Sequence, residues 1–250
     1  MSMLIPIRDI NPTRHFPVVT VVLIAANVVA FFGAGDISGI SNEAAYQYGA
    51  VPCDVLDRCP AISQQLETAF PNRSPWLSVL TSMFMHADIF HIGFNMLFLW
   101  VFGNNVEDRL GRVRFPIFYL ATGLAASFAH MLFSADSQVP TIGASGAVSG
   151  VLGAYIVLWP TATIIALVPI LLFFFSVRLP AWIMLGIWFL VQLFGSAAGF
   201  GQAGEQGGVA YLAHVGGFVA GAILIFVFGG YQRSPPRRID PFDDRGHATF

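Results

Sequence analysis

Two residues far apart in the chain have the types that nucleophilic catalysis needs. Ser145 lies in Thr141-Ile142-Gly143-Ala144-Ser145-Gly146, and His214 in Ala213-His214-Val215-Gly216-Gly217. A serine hydroxyl becomes a competent nucleophile when an imidazole takes its proton during attack. A second pair, His91 and Asn95, is spaced i to i+4, which sets the imidazole and the amide on one face of a helix. Both could donate to a developing oxyanion; the same pair could instead clasp two helices together.

Other chemistries lack their residues. The acids all fall in loops, in the tail or at the ends of apolar stretches, so a paired-aspartate protease and a carboxylate proton relay are both excluded. No His-Glu-x-x-His stands on any helix, and no metal or other cofactor is expected. The 12 basic residues are all arginine and the net charge is −2, which leaves no basic face for nucleic acid.

The elements that hold these residues must lie in lipid. With 56% apolar and 10% charged residues, a soluble globule would have too little polar residue to cover itself. Apolar spans long enough for the ~30 Å hydrocarbon core read at 17–33, 89–106, 115–133, 180–198 and 209–229, with a shorter one at 145–159. The expected fold is an all-α membrane protein of six transmembrane helices: a cytoplasmic segment 1–16, a membrane domain 17–230 and a disordered tail 231–250. The stretch 161–178, interrupted by Pro169, is apolar enough to tempt a seventh span. An odd count would put the arginine-rich tail outside, so it reads as an interfacial or re-entrant connection. Six spans put ten arginines in the cytoplasm and leave only Arg58 and Arg73 outside, as the positive-inside rule requires. Both termini are then cytoplasmic, and the compartment is a cell or inner membrane. Cys53 and Cys59 fall in the long outer loop, as a disulfide or as free thiols.

Depth connects the two catalytic candidates. From Ser145 to the Trp159-Pro160 break is about 15 residues, or ~22 Å of helix, so this span starts roughly 8 Å below the outer surface. Non-helical backbone at that depth needs protein cover or water. His214 lies about five residues into the last span, or ~8 Å from the same side. Gly146, Gly150 and Gly153 on one span, and Ala213, Gly217 and Gly221 on the other, repeat at the spacing that lets helix backbones touch.

Together the motifs resemble the rhomboid family of intramembrane serine proteases. The matching pieces are Gly143-Ala144-Ser145-Gly146, Ala213-His214-Val215-Gly216-Gly217, His86-x4-His91-x3-Asn95 and Gly103-x3-Glu107-x3-Gly111. The resemblance implies a six-helix bundle and a Ser145–His214 dyad without a third acid. It places His91, Asn95 and the Ser145 amide at the oxyanion, and a lipid-facing gate on the fifth span, with Trp188 and Phe189 as contributors. Glu107 and Arg109 then tie the cytoplasmic end of the second span. Substrates would be other membrane proteins, typically single-span, cut near the outer ends of helices that unwind easily. One departure stands out: family members often carry an aromatic residue four positions after the nucleophile, packed on the histidine ring, where this chain has Ser149. The rivals are an inactive relative that binds membrane clients, which usually loses the serine or the histidine, and a transporter, which would show an intramembrane acid or broken helices in paired repeats.

Overall fold

The computed structural model describes residues 4–170, 173–199 and 211–229; the expected tail at 231–250 lies outside them. The order begins with β1 (Ile5–Ile10), α1 (Val18–Ala34) and a two-residue ribbon, β2 (Gly35–Asp36) with β3 (Gly39–Ile40). Four short helices follow: α2 (Asn42–Tyr48), α3 (Pro52–Val55), α4 (Pro60–Ala69) and α5 (Pro75–Thr81). The rest comprises α6 (Ile89–Phe133), α7 (Ser145–Leu158), β4 (Thr163–Ile170), β5 (Phe173–Pro180), α8 (Ala181–Gly199) and α9 (Tyr211–Val227). The long helices fall on the apolar spans. Among the described helices only α6 is by itself long and apolar enough to cross a membrane.

α6 is bent at Gly111, whose φ of 81° and ψ of 166° lie outside the helical region. A positive φ suits glycine, which has no Cβ to clash. The bend turns α6 into two arms that flank α7 in opposite directions. In the first arm His91 meets Gly143 and Phe102 packs edge to face on Tyr155, with ring centroids 4.9 Å apart. In the second arm Thr122 faces Gly150 and Ala126 faces Gly146. α9 runs parallel to α7, pairing Gly217 with Gly146 and Gly221 with Gly150, while α8 runs antiparallel to α9.

Glycine sets the closest of these contacts. A Cβ on Gly217 would strike the carbonyl oxygen of Gly146, one on Gly221 that of Gly150, and one on Gly153 that of Phe218. Backbones packed this tightly are what small-residue stripes permit in lipid, where burial of apolar area supplies no drive between helices.

The far end of the bundle is tied by the Gly103-x3-Glu107-x3-Gly111 stretch. α1 begins after Pro17 with no side-chain cap of its own. Its exposed N–H groups are satisfied instead by the buried Glu107 carboxylate, which accepts from Val19 N at 2.9 Å, Thr20 N at 2.7 Å and Thr20 Oγ1 at 2.7 Å. An anion at a helix N-terminus gains from the unpaired amides and from the dipole together. Arg109 is half-buried two residues on.

The expectation of an all-α protein needs correction. β1, β4 and β5 form an antiparallel sheet at the same end as Glu107, in the order β1-β4-β5, so 161–178 is mostly a strand pair and 1–16 contains a strand. Thr163, Ile164, Ile165, Val168 and Ile170 give β4 a β-branched character, and its inward Ile164 and Ala166 are fully buried. Pro169, which reads as a breaker, pairs with Phe174 beyond Leu167, the last residue that β1 reaches. A proline is tolerated where no third strand asks for its N–H.

At the opposite end, residues 41–88 pack over the start of α7. Cys53 and Cys59 are bonded to each other. The Arg73 guanidinium pairs with the buried Asp54 carboxylate and donates to Tyr46 O at 3.0 Å. Cys53 N donates to Ser137 O at 3.0 Å, Ala50 and Thr141 exchange both backbone bonds, and Gly143 N donates to Ser82 O at 2.9 Å. This layer therefore fixes the loop that delivers Ser145.

Candidate active site

Ser145 is the first residue of α7, preceded by Ala144 with no side-chain cap. The first N–H groups of a helix have no partner within it, so the Ser145 amide stands free to meet negative charge at the positive end of the helix. The loop before it demands Gly143. There φ is +130°, and a Cβ would stand 2.9 Å from His91 Nε2 and 3.5 Å from Ser145 Oγ. Gly146, one residue after Ser145, gives the contact with Ala126 and α9.

His214 Nε2 lies 2.7 Å from Ser145 Oγ. The two residues are 69 positions apart and meet because α7 and α9 touch backbone to backbone at Gly146 and Gly217, one turn below His214. Among the described residues no acid is hydrogen-bonded to the imidazole. Its other nitrogen, Nδ1, is 2.8 Å from Oε1 of Gln192, a buried residue of α8. An amide oxygen can only accept, so Nδ1 carries the proton and Nε2 keeps the lone pair that faces the serine hydroxyl.

The second pair also has a defined tautomer. Ala87 N donates to His91 Nδ1 at 3.3 Å, so the His91 proton sits on Nε2, the atom nearest Gly143. Behind it, His86 packs edge to face on His91 with centroids 5.1 Å apart. His86 Nε2 accepts from Ala144 N at 3.5 Å, and its Nδ1 is 3.3 Å from Phe84 O. Burial pushes the His86 imidazole down to about 3, so it remains a neutral acceptor for that amide. Asn95 is buried one turn below His91 and donates from Nδ2 to His91 O at 2.9 Å. One of its two amide hydrogens is thus engaged with its own helix, and Asn95 makes no hydrogen bond to Ser145.

Ser149, at the position where family members often carry an aromatic residue, is buried and donates its hydroxyl back to Ser145 O at 2.6 Å. The ring beside His214 comes from α8: Trp188 lies 6.0 Å from it, tilted by 38°, and 6.0 Å from Phe218. Phe189 packs on Phe218 at 4.8 Å. Trp188 and Phe189 are half-buried residues of the α8 face turned to α9, while the outer face carries exposed Ile187, Leu190 and Phe194.

Gln192 was missed by sequence reasoning restricted to ionisable residues. The signal was present in Leu190-Val191-Gln192-Leu193-Phe194, one amide in an otherwise apolar span.

A Rhomboid domain model matches residues 73–231, which include Ser145, His214, His91, Asn95 and Gln192. The chain belongs to the rhomboid family. Rhomboid protein 1, mitochondrial, of Saccharomyces cerevisiae is 35% identical over 151 residues, 59% of this chain and 40% of the yeast protein. Rhomboid protease GluP of Bacillus subtilis is 34% identical over 139 residues, 55% of this chain and 24% of that protein. Presenilin-associated rhomboid-like protein A, mitochondrial, of Danio rerio is 30% identical over 180 residues, 66% of this chain and 47% of the fish protein. The chain spans less than half the length of each of these relatives. Rhomboids are helical integral membrane proteins, generally intramembrane serine proteases with some inactive members, and this chain is accordingly an integral membrane protein.

Proposed function

We propose that this chain is an intramembrane serine endopeptidase that cleaves other membrane proteins, with Ser145 as nucleophile and His214 as general base. The observation that carries the reading is the 2.7 Å approach of His214 Nε2 to Ser145 Oγ, in a tautomer that can accept the serine proton. Attack of Oγ on the scissile carbonyl forms the Oγ–C bond as the hydroxyl proton passes to Nε2. The oxyanion is met by the Ser145 amide, by Nε2–H of His91 and by the free amide hydrogen of Asn95. Collapse breaks the peptide C–N bond, with Nε2 returning its proton to the leaving amine. Water, deprotonated by His214, then releases the acyl group from Ser145. Retention of both serine and histidine favours this reading over an inactive client-binding relative.

The six apolar rods, counting the two arms of α6, alternate in direction, which supports six crossings. The described arginines support the orientation. Arg8, Arg14, Arg109, Arg112, Arg114 and Arg178 belong to the Glu107 and sheet end, and Arg58 and Arg73 to the Ser145 end. The Glu107 end is then cytoplasmic, the site opens outward, and typical substrates are single-span proteins that enter past α8 and unwind near their outer ends.

The experiment is labelling with a fluorophosphonate probe in membranes, alongside cleavage of a model single-span substrate. Ser145→Ala and His214→Ala should each remove nearly all turnover, whereas Asp88→Asn should keep most of it. Asp88 caps α6 through Phe90 N and His91 N at 2.8 Å each, and asparagine caps equally well. Cleavage that survives Ser145→Ala would sink the assignment.

A further inference from the structure

Burial makes the two tautomers of His214 unequal. On the ring edge packed against the buried Gln192, an N–H without an acceptor would lose its hydrogen bond outright, so the proton settles on whichever nitrogen finds an oxygen. Two oxygens compete for it. Ser145 Oγ beside Nε2 can accept as well as donate. If it accepts, Nε2 holds the proton and cannot take another from the serine. Gln192 Oε1 beside Nδ1 can only accept, and it draws the proton to the far side of the ring.

We infer that Gln192 is a positioning residue of the proposed protease: its amide oxygen holds the His214 proton on Nδ1 and aims the Nε2 lone pair at Ser145. The inference rests on the protease reading and deepens it, because it supplies the third member that an acid-free dyad lacks. Two observations beyond the hydrogen bond support it. Gln192 is an amide in a stretch, Ala181 to Gly195, that is otherwise made of apolar residues and glycine, where an idle polar group would be a liability. It also lies one turn beyond Trp188, whose ring stands beside the same imidazole, so α8 braces both the edge and the face of the base. Ser149, turned back onto Ser145 O, gives no such support from α7. The general base is therefore set from α8, and undocking α8 from α9 would release it.

A carboxylate would do the same geometric work with a charge added. Among the described residues the titratable groups that face His214 are His91 and His130, both on α6; none comes from α7 or α8. Gln192→Glu therefore places a lone carboxylate against Nδ1–H. It would favour the imidazolium, so the base would lose its proton only at higher pH.

The test is the second-order rate of fluorophosphonate labelling from pH 4 to 9, on full-length protein, for wild type, Ser145→Ala, Gln192→Leu and Gln192→Glu, with thermal unfolding in parallel. Gln192→Leu, of similar volume and no acceptor, should label about 10- to 100-fold more slowly near neutral pH while remaining folded. Gln192→Glu should label at a rate nearer wild type, with its acidic limb moved upward by about 1 to 2 pH units. A merely structural glutamine would leave that limb in place. Wild-type labelling by folded Gln192→Leu, or an unmoved limb in Gln192→Glu, overturns the inference and leaves the protease reading standing. If Gln192→Leu does not fold, the limb of Gln192→Glu decides alone. Wild type that labels no faster than Ser145→Ala brings down the protease reading and this inference with it.

Discussion

Gly217 of α9 lies so close to Gly146 of α7 that a methyl group on the former would overlap the carbonyl oxygen of the latter. The Ser145–His214 hydrogen bond is one turn away and depends on that approach. Gly217→Ala should push the helices apart by a fraction of an ångström to an ångström. Misplacement on that scale costs up to about 10²-fold in rate. The expected result is a large loss of labelling and cleavage with a smaller loss in thermal stability. Wild-type turnover in Gly217→Ala would show that the helix contact does not set the dyad.

The oxyanion assignment predicts a graded series. Removing one donor typically costs on the order of 10²- to 10³-fold in kcat, or ~3 to 4 kcal/mol. Asn95 already spends one hydrogen on His91 O, and two other donors remain, so Asn95→Ala should fall at or below the low end of that range. Adding His91→Ala should deepen the loss. KM should change little, because the oxyanion exists only after attack. Unfolding measured alongside separates the alternative: if Asn95→Ala keeps wild-type kcat, or fails only through lost stability, the pair is a helix clasp.

The disulfide closes a short loop, Cys53 to Cys59, with a sequence separation of 6. Loop-closure entropy for so short a ring is worth about 2 kcal/mol on the chain-entropy model. Reduction, or the double replacement by serine, should lower the unfolding temperature by a few degrees and slow cleavage, since Cys53 N also holds Ser137 O ahead of the nucleophile. An unfolding temperature that reductant leaves unchanged would mean that the bond contributes nothing to the fold.

How far the sequence could be read depended on what each residue had to betray. Ser145 and His214 were legible because lipid makes any polar group conspicuous and because the glycine stripes at 146, 150, 217 and 221 say which helices touch. Glu107 was legible as structural only through the family resemblance of Gly103-x3-Glu107-x3-Gly111, and its task of capping α1 was not, since the capped amides belong to residues nearly 90 positions earlier. Gln192 escaped because a neutral amide carries no ionisation penalty and so drew no attention. The sheet escaped for a different reason. β1 is only six residues long, and β4 with β5 is so apolar that its period-2 pattern is drowned, leaving Pro169 as the loudest and most misleading signal. The candidate site was thus clearer than its frame, because polar residues are exceptions in lipid whereas the frame is built from common residues.

Asp9 supplies the last prediction, at the sheet end. Its Oδ2 accepts from Tyr155 OH and from Asn105 Nδ2, each at 2.7 Å, which ties β1 to α7 and α6. Burial raises its carboxyl from 3.8 to about 6, against the opposing pull of those two hydrogen bonds and of Arg8, the charged neighbour beside it. The fold therefore favours the neutral acid. The stability this gives is fully present below the unfolded value near 3.8 and is lost as pH rises through about 6, so at neutral pH the ionised Asp9 weakens the structure. Asp9→Asn keeps an oxygen that can accept both hydrogen bonds and never ionises. It should be the more stable protein at pH 8, by at most about 3 kcal/mol, and the difference should vanish below pH 4. Unfolding temperatures of both proteins across pH 4 to 8 check this. A gap that stays constant with pH, or a variant that is less stable at pH 8, would show that the Asp9 charge is well solvated and that the strap does not oppose it.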